Sequence, residues 1–236
     1  MQMLGIDDIL AADLADWRKL GQGLHVRFAI DSFRAGAHFI SAVAEAGQTA
    51  RHQPEVRLGD SYVDLKLISH DAIYRDDEGT EHQVSWVTQQ DLDLARRVSR
   101  LAADLGIAAR PEQITSIEIA LDTADPARLA PVWAALLTGG DDALGFGTIG
   151  DDIRDLTGRV PILWFQDTDP HETPRQRFHI DVWVPHDLAD QRIAAAVAAG
   201  GTIVDDSQAP AYVVIADPEG NKACVSTFLP PGQQGR

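Results

Sequence analysis

The sequence is poor in cysteine, in basic residues and in long apolar runs, and each shortage excludes a class of protein. Its single cysteine, Cys224, has no second thiol in the chain for a disulfide and is typical of a reducing compartment. Lysine and arginine number 20 against 36 aspartates and glutamates, which gives a formal net charge of −16. That charge argues against partners with phosphate backbones and against anionic membrane surfaces.

Long apolar segments are also missing. No run approaches the roughly 20 residues that a membrane-spanning helix needs. The segment from Met1 to Asp8 has no basic stretch followed by an apolar core, so we do not expect it to be a signal peptide. We therefore expect a soluble cytoplasmic protein that binds neither membrane nor nucleic acid. Apolar residues make up 44% of the 236 residues, which is enough for one large or two ordinary packed domains.

Apolar spacing in the first part of the chain predicts alternating helices and strands. A period of 3.6 residues predicts one helix from Asp7 to Leu20, a second that begins near Ser32 and a third that begins at Thr88. A period of two predicts strands over His25–Ile30 and Tyr62–Ile68. Together these elements predict a sheet covered on one face by helices.

Two of these helices carry further signals. The apolar stripe of the second helix is expected at four positions: Phe33, Ala37, Ile40 and Ala44. At the start of the third helix, Thr88 and Asp91 have the spacing of a capping box, which explains Asp91 without a catalytic role. The short polar segment Gly106–Gln113 then predicts a boundary between a first domain over 1–108 and a second over 113–230.

Two histidines flank the strand that ends at Ile68. His52 belongs to the triplet His52-Gln53-Pro54 before that strand, and His70 follows just past its end. Imidazoles exchange protons near neutral pH, so a pair that converges on one pocket suits a dehydration. Spacing alone leaves a second interpretation open, in which one histidine caps a turn and the other lines a strand end.

An ordered set of motifs around these histidines resembles the pterin-4a-carbinolamine dehydratases. The set runs Phe33, Phe39, His52-Gln53-Pro54, Leu65, Leu67, Ser69-His70-Asp71 and Thr88-Gln89-Gln90-Asp91. The resemblance implies a helix-covered antiparallel sheet and the dehydration of a 4a-hydroxytetrahydrobiopterin-type carbinolamine to the quinonoid dihydropterin. It implies no cofactor, since neither a metal nor a redox group is needed, and it implies a homo-oligomer because members of the family usually assemble.

The resemblance also implies roles for particular residues. His52 and His70 match the family's first and third histidines and are the expected acid–base pair. Four neighbours are the expected pterin-binding residues: Gln53, Pro54, Ser69 and Asp71. The expected partner is therefore a small-molecule substrate, the pterin.

The second half of the chain shows one predicted layout twice, strand-helix-strand-strand-strand. The first copy begins with the strand at 114–121 and the second with Arg177-Phe178-His179-Ile180-Asp181. With the turn Asp217-Pro218-Glu219-Gly220-Asn221, this layout resembles the glyoxalase-like, or vicinal oxygen chelate, superfamily. The chain is thus expected to be α+β, with a helix-covered antiparallel sheet followed by paired βαβββ modules.

Metal-binding members of that superfamily use His, Gln or Glu on the first and last strands of each half. Here His179 takes one such position, Ser116 takes its counterpart, and Cys224 stands where a glutamate is expected. We therefore expect no metal, with His179 hydrogen-bonded inside the cup and Cys224 as a small apolar filler. Binding of a small organic molecule in the cup stays open.

Three departures from the dehydratase pattern keep a second function open. Gln53 replaces the second histidine of the triplet, Gln48 replaces a glutamate and Asp60 replaces an aromatic residue. An amide can hydrogen-bond a pterin edge but cannot carry a proton. The alternative is a catalytically silent, dehydratase-like assembly module fused to a glyoxalase-like domain that binds a small molecule or acts as a lyase.

Overall fold

A computed structural model describes residues 1–124, 152–153, 161–168, 178–198, 201–216 and 222–232. Contacts within the chain divide it into two units, Met1–Ile114 and Thr115–Arg236. Each unit combines helices with a sheet, antiparallel in the first and mixed in the second, which confirms the predicted two-domain α+β class. Among the described residues, every helix is too short or too polar to cross a membrane.

The first unit, described throughout, has three α-helices, six strands and a short 3-10 helix at Pro111–Gln113. The α-helices and strands are α1 (Ile6–Ala11), β1 (Arg18–Leu20), β2 (Gly23–Ala29), α2 (Phe33–Ala50), β3 (Glu55–Leu58), β4 (Tyr62–Leu67), β5 (Ser69–Arg75), β6 (Glu81–Trp86) and α3 (Gln89–Asp104). Strands β1, β2, β4 and β3 form one antiparallel sheet in that order, and β5 pairs with β6 in a separate hairpin.

The core of the first unit lies between the four-stranded sheet and the long helices. Phe28 of β2 and Phe39 of α2 meet edge to face with ring centroids 5.1 Å apart, and both are fully buried. Strand β4 alternates as predicted, because Val63, Leu65 and Leu67 are buried while the residues between them are half-exposed. This alternation fixes the register of the strand that leads into β5.

The structure corrects the first predicted helix. Helix α1 ends at Ala11, and Arg18–Leu20 is a strand that pairs with β2. Trp17 and Leu20 are buried as the helical spacing requires, but they reach the core from a turn and a strand. Lys19 between them is also buried, with its ammonium 3.9 Å from the centre of the Trp86 ring. The apolar residues at helical spacing, Leu10, Leu14, Trp17 and Leu20, were therefore compatible with a single helix as well as with the helix, turn and strand that form.

The apolar stripe predicted for α2 is wrong at three of its four positions, although Ile40 does pack against the core. Phe33 is 56% exposed, and Ala37 and Ala44 lie on the exposed side. The face that packs on the sheet consists of Gly36, Phe39, Val43, Ala46 and Gly47. Two of these positions are glycines, which have no apolar side chain, so an argument from apolar spacing passes over them.

Glycine is needed on that face because the sheet comes close to the helix. A Cβ atom at Gly36 would lie 2.5 Å from side-chain carbons of Ile30 and Leu58. Real Cβ atoms do not approach other atoms so closely, so a larger residue would require the ends of the Ile30 and Leu58 side chains, or the helix itself, to shift.

The described part of the second unit is a seven-stranded mixed sheet with one α-helix, which a 3-10 turn at His186–Leu188 precedes. Its elements are β7 (Ser116–Thr123), β8 (Asp152–Ile153), β9 (Leu163–Asp167), β10 (Phe178–Trp183), α4 (Ala189–Ala198), β11 (Thr202–Asp205), β12 (Tyr212–Ala216) and β13 (Lys222–Ser226). The strand order is β11-β12-β13-β10-β7-β9-β8. The helix that the predicted layout places after the first strand of the first copy, beginning at Asp125, lies outside the described residues, as does the predicted turn at 217–221.

The centre of this sheet shows the predicted duplication. Strands β7 and β10 pair antiparallel, and each has a parallel neighbour on its other side, β9 beside β7 and β13 beside β10. Such an arrangement is what two copies of one module give when their first strands meet at the centre of a shared sheet.

Candidate functional site

The side chain of Asp91, on the first turn of α3, joins the candidate residues of the first unit. Its Oδ2 accepts hydrogen bonds from the backbone N–H of Thr88 at 2.8 Å, from the Thr88 hydroxyl at 3.0 Å and from the Ser69 hydroxyl at 2.8 Å. Its Oδ1 lies 2.7 Å from Nε2 of His52. The carboxylate is fully buried, so one side chain both caps the helix and orients the imidazole.

The electrostatics of Asp91 follow from these bonds. Burial alone would raise the pKa of Asp91, but hydrogen bonds from His52, Thr88 and Ser69 outweigh it and hold the pKa below its ordinary value. An ionised carboxylate can only accept, so the hydrogen of the bond to His52 sits on Nε2 of the ring. His52 is therefore fixed in orientation, with Nδ1 as the nitrogen that can exchange a proton.

The backbone at the end of α2 positions His52 for its contact with Asp91. Arg51 takes a left-handed backbone conformation with φ 54°, and the backbone N–H of His52 donates to the carbonyl of Gly47 at 3.0 Å. A Cβ atom at Gly47 would lie 2.7 Å from the carbonyl oxygen of His52. The glycine thus allows the triplet to fold back against the helix that precedes it.

The other two residues of the triplet lie beside His52. Gln53 is exposed and donates its amide N–H to the carbonyl of Ala44 on α2 at 3.3 Å. Pro54 is half-buried and leads directly into β3. The Gln53 amide is therefore held against α2, with its carbonyl oxygen as an acceptor.

His70 occupies a β-bulge one residue beyond Ser69. The pairing of β5 with β6 shifts register between Ser69 and Ala72, which leaves His70 and Asp71 opposite Ser85. His70 Nδ1 lies 3.0 Å from the Ser85 hydroxyl, whereas Ser69 is turned to Asp91. His70 and Asp71 are exposed and Ser69 is buried, so the bulge presents two consecutive ionisable residues at the surface.

The structure thus brings His52, Ser69 and Asp91 into one hydrogen-bonded network and gives His70 a separate partner. Asp91 is the residue that the sequence argument set aside. The capping box predicted for it is confirmed, but the box accounts for only the bonds to Thr88. The bonds to His52 and Ser69 come from distant parts of the chain, and the matching Thr-x-x-Asp motif was the signal that pointed to them. The predicted catalytic and binding roles stay predictions.

A second group of polar residues lines a cavity of about 980 Å³ in the second unit. Strand alternation turns these side chains to one face of the sheet. The residues that carry its chemistry are Asp122, Trp164, His179, Asp181, Trp183 and Cys224. A concave space of this size suits a small organic molecule.

Asp181 is the most constrained group of this cavity. Trp164 donates its indole N–H to Asp181 Oδ2 at 3.0 Å, and His179 Nε2 lies 3.6 Å from Oδ1. Burial raises the pKa of Asp181, and the charge of Asp122 adds to the rise, although His179, Trp164 and Cys224 oppose it. The carboxylate is therefore held in a setting that disfavours its negative charge.

Cys224 differs from the apolar filler that was expected. Burial raises the pKa of its thiol to about 12, and the charge of Asp181 beside it adds to the rise. The thiol is therefore protonated at neutral pH and donates a hydrogen bond to Asp181. Cys224 is thus a polar neighbour of the carboxylate.

Three of these residues have the spacing of metal ligands. Donor atoms of His179, Asp181 and Cys224 all lie within 4.8 Å of one another. Their nitrogen, oxygen and sulfur atoms do not form the oxygen-rich octahedral set of a hard divalent ion, and Ser116 supplies only a hydroxyl at the position that matches His179. The residues present do not fit the metal chemistry of the superfamily.

Comparison with known proteins relates each unit to one family. A family model described as pterin 4 alpha carbinolamine dehydratase matches residues 5–101, and one described as a glyoxalase-like domain matches residues 118–226. Both matches confirm the resemblances that the sequence motifs predicted.

Curated relatives match the first unit. A protein of Thermomicrobium roseum, provisionally named a pterin-4-alpha-carbinolamine dehydratase, is 29% identical over 105 residues, which are 43% of this chain and 100% of the relative. A protein of Natronomonas pharaonis with the same provisional name is 33% identical over 97 residues, 41% of this chain and 92% of the relative. The crystal structure of a transcriptional coactivator/pterin dehydratase from Brucella melitensis is 22% identical, covers 43% of this chain and 99% of that chain, and has a TM-score of 0.35.

Proposed function

Because the chain belongs to the pterin-4a-carbinolamine dehydratase family through residues 5–101, we propose that its first unit dehydrates a 4a-hydroxytetrahydropterin to the quinonoid dihydropterin. The observation that carries this proposal is the buried Asp91 carboxylate, bonded to Ser69 on one oxygen and to His52 Nε2 on the other. A ring held in this way is ready to move a proton at its second nitrogen.

The reaction needs two proton transfers and no other reagent. The C4a–O bond breaks as an acid protonates the departing hydroxyl, which leaves as water. A base takes the N5 proton, and the electron pair of that N–H bond becomes the new C=N double bond. Each positioned acid or base is worth about two to four decades of rate.

His52 and His70 share the acid and base roles in this proposal. The bond from His52 Nε2 to Asp91 leaves Nδ1 of the ring available for proton exchange. His70 bonds to the hydroxyl of Ser85, which can donate or accept and so tolerates either protonation state of the ring. Both histidines can therefore change protonation during a catalytic cycle without breaking the hydrogen bond that orients them.

The proposed pterin-binding residues are sequence neighbours of these two histidines. Gln53 and Asp71 are exposed and would bond the polar edge of the pterin, while half-buried Pro54 would give an apolar contact. The hydroxyl of Ser69 is already bonded to Asp91 and Thr88, so its contribution passes through Asp91. Gln53 binds without moving a proton, which leaves the chemistry to the two histidines.

The test is a direct dehydration assay on the full chain. The enzyme should accelerate the loss of water from a freshly generated 4a-hydroxytetrahydropterin above the spontaneous rate in the same buffer. A wild-type rate equal to the spontaneous one would eliminate the dehydratase proposal and favour the alternative of a silent module that serves assembly.

The assembly role has its own measurement. We expect a homo-oligomer, which light scattering coupled to size-exclusion chromatography would report as a mass that is a multiple of 25.6 kDa. An oligomer with no dehydratase activity is the result that the silent-module alternative requires.

A second candidate function belongs to the second unit, namely small-molecule binding or a lyase reaction in its cavity. The volume of about 980 Å³ and the mixed aromatic and polar lining favour it. Thermal-shift screening of pterins against aldehydes, thiol conjugates and aromatic metabolites tests it, because a ligand that binds only the folded state raises the unfolding temperature.

A further inference from the structure

The cavity of the second unit has the chemistry of a receptor for an organic cation. We propose that it binds a small molecule with a positively charged nitrogen on an aromatic or apolar body, with Asp122 and Asp181 facing the charge and Trp164 and Trp183 flanking the body. This inference rests on the second candidate function, small-molecule binding by the cavity, and is independent of the dehydration assigned to the first unit.

The register of the central strands places these groups together. Asp122 of β7 lies opposite Gln166 of β9, and Asp181 of β10 lies opposite Glu118 of β7. Because side chains alternate along a strand, Asp122 shares one face of β7 with Glu118, and Trp183 shares the corresponding face of β10 with Asp181. The carboxyl groups and indoles therefore converge from three adjacent strands.

A small residue, Ala120, lies between two of the larger rings. Ala120 lies opposite both His179 of β10 and Trp164 of β9. The rings of His179 and Trp164 approach edge to face with centroids 5.7 Å apart on either side of this position. Ala120 is fully buried, so its small side chain lets these two rings meet and form one part of the cavity wall.

The lining of this cavity carries more negative than positive side chains. Three carboxylates belong to it, Asp122, Asp181 and Asp205, while Lys222 is the one lysine or arginine in the part of the lining that the structure describes. A concave space with one dominant sign of charge concentrates ligands of the opposite sign. His179 lies 3.4 Å from Asp122 and 3.6 Å from Asp181, so its ring links the two carboxylates at the centre of the lining.

Asp181 gains most from a cation. It is only 7% exposed, and burial together with the charge of Asp122 raises its pKa. A buried carboxylate near a second one is costly until an opposite charge reaches it. A ligand cation would supply that charge and would keep Asp181 ionised.

The two tryptophans are held by their edges. Trp164 donates its indole N–H to Asp181 at 3.0 Å, and Trp183 donates its own to Glu118 at 2.9 Å. Asp181 and Glu118 are cross-strand partners on β10 and β7, the first strands of the two copies of the module. Each indole N–H is therefore anchored by a carboxylate on one of these first strands. Rings anchored at the N–H edge can offer their electron-rich faces to a cation and their apolar surface to its body.

Matched probes test the proposal. Benzamidine is a planar cation and benzamide is its neutral isostere, so isothermal titration of the full chain with each, in buffer with a chelator, isolates the effect of charge. We expect benzamidine to bind at least about tenfold more tightly than benzamide, and Asp181→Asn to remove about tenfold of that affinity. If Asp181→Asn fails to fold, the benzamidine affinity of Asp122→Asn, a change at a half-exposed position, tests the same carboxylate effect.

The control variant is Asp190→Asn, which removes the same charge from an exposed position on α4 outside the cavity lining. Unchanged benzamidine affinity in this variant, with a loss in the two cavity variants, supports the proposal. Equal losses in all three would mean that overall charge, rather than the cavity, attracts the probe, and would overturn it.

The remaining outcomes separate this inference from the functions on which it builds. Equal affinity for benzamidine and benzamide would overturn the cation preference and leave the cavity as a small-molecule site. No binding of either probe at millimolar concentration would overturn both. Zinc binding without chelator that is lost in Cys224→Ser would assign the cluster to a metal and would also overturn the inference. Dehydratase activity should be the same in all of these variants.

Discussion

Nε2 of His52 lies 2.7 Å from Oδ1 of Asp91, although 39 residues separate them in the chain. The aspartate is fully buried and takes its other bonds from Thr88 and Ser69, so it cannot follow the histidine if the ring moves. The position of the ring therefore depends on the helix start as well as on the triplet. Loss of the carboxylate should affect fold and chemistry together.

Asp91→Asn should destabilise the first unit and reduce dehydratase activity. The amide can still accept from Thr88, but its NH₂ group replaces an acceptor that was bonded to His52 or Ser69. Leaving one such buried group without its bond costs about 1–3 kcal/mol. Hydrogen exchange of α3 peptides in the full chain measures the loss of stability, and the dehydration assay measures the loss of rate. Asp93→Asn, exposed two residues further along α3, should change neither.

The stability of the first unit should fall in acid because of Asp91. A carboxyl group whose pKa is lowered on folding stabilises the fold above its unfolded pKa and stops doing so as the pH falls through its folded pKa. The ordinary value is 3.8 and the folded pKa lies below it, so protection of α3 against exchange should decline below about pH 4. The decline should be smaller in Asp91→Asn, and an equal decline in both would assign the acid sensitivity to other carboxyl groups.

His70→Ala should abolish the proposed dehydration without unfolding the chain. His70 is exposed and lies in a bulge, so its removal leaves the core intact, whereas loss of one acid or base costs about two to four decades of rate. His82→Ala is the matched control, because that histidine is also exposed and bonds to Asp76 in the same hairpin. Similar rates in the two variants would remove His70 from the mechanism.

Gly47→Ala should displace the histidine triplet. The new Cβ atom would lie 2.7 Å from the carbonyl of His52 and would also meet the side chain of Gln53, so either the helix or the triplet must move. Overpacking of this kind costs about 1–3 kcal/mol. A fall in unfolding temperature together with lower dehydratase activity is expected. At Gly5, the N-cap of α1, an added Cβ meets its nearest neighbour at 3.4 Å, so Gly5→Ala should leave dehydratase activity unchanged and lower stability only by the cost of alanine at an N-cap, about 1 kcal/mol.

Cys224 should be unusually slow to alkylate. Its pKa is raised from an ordinary 9.0 to about 12, which lowers the thiolate fraction at neutral pH by about three decades. Since it is the single cysteine of the chain, intact mass after treatment with iodoacetamide reports its reaction alone. Asp181→Asn should accelerate the reaction by removing a neighbouring negative charge. Alkylation at the rate of free glutathione would contradict the protonated thiol.

The sequence predicted elements well where the pattern was local. The alternation of Val63, Leu65 and Leu67 identified β4 and its buried face, and the Thr88–Asp91 spacing identified the start of α3. Both signals depend on neighbours in the chain, so no tertiary information was needed. The domain bounds of 1–108 and 113–230 stay predictions.

The errors occurred where packing decided the outcome. Burial of Trp17 and Leu20 fitted a helix, but β2 offered a partner for a strand at Arg18–Leu20. On α2 the buried face contains Gly36 and Gly47, whose value lies in close approach that hydropathy does not record. The bond between His52 and Asp91 joins two segments that no local pattern relates, although the family motif contains both residues.

Asp91 both caps α3 and orients His52, and this affects how related sequences should be interpreted. A lineage that stopped using the reaction would still need a carboxylate there to start the helix, and purifying selection on the fold alone would keep it. Its presence in a homologue is therefore no marker of turnover. Gln53, which is exposed and makes one long bond to Ala44, is under no such double constraint, so its identity is the more informative diagnostic of whether a descendant still works as an enzyme.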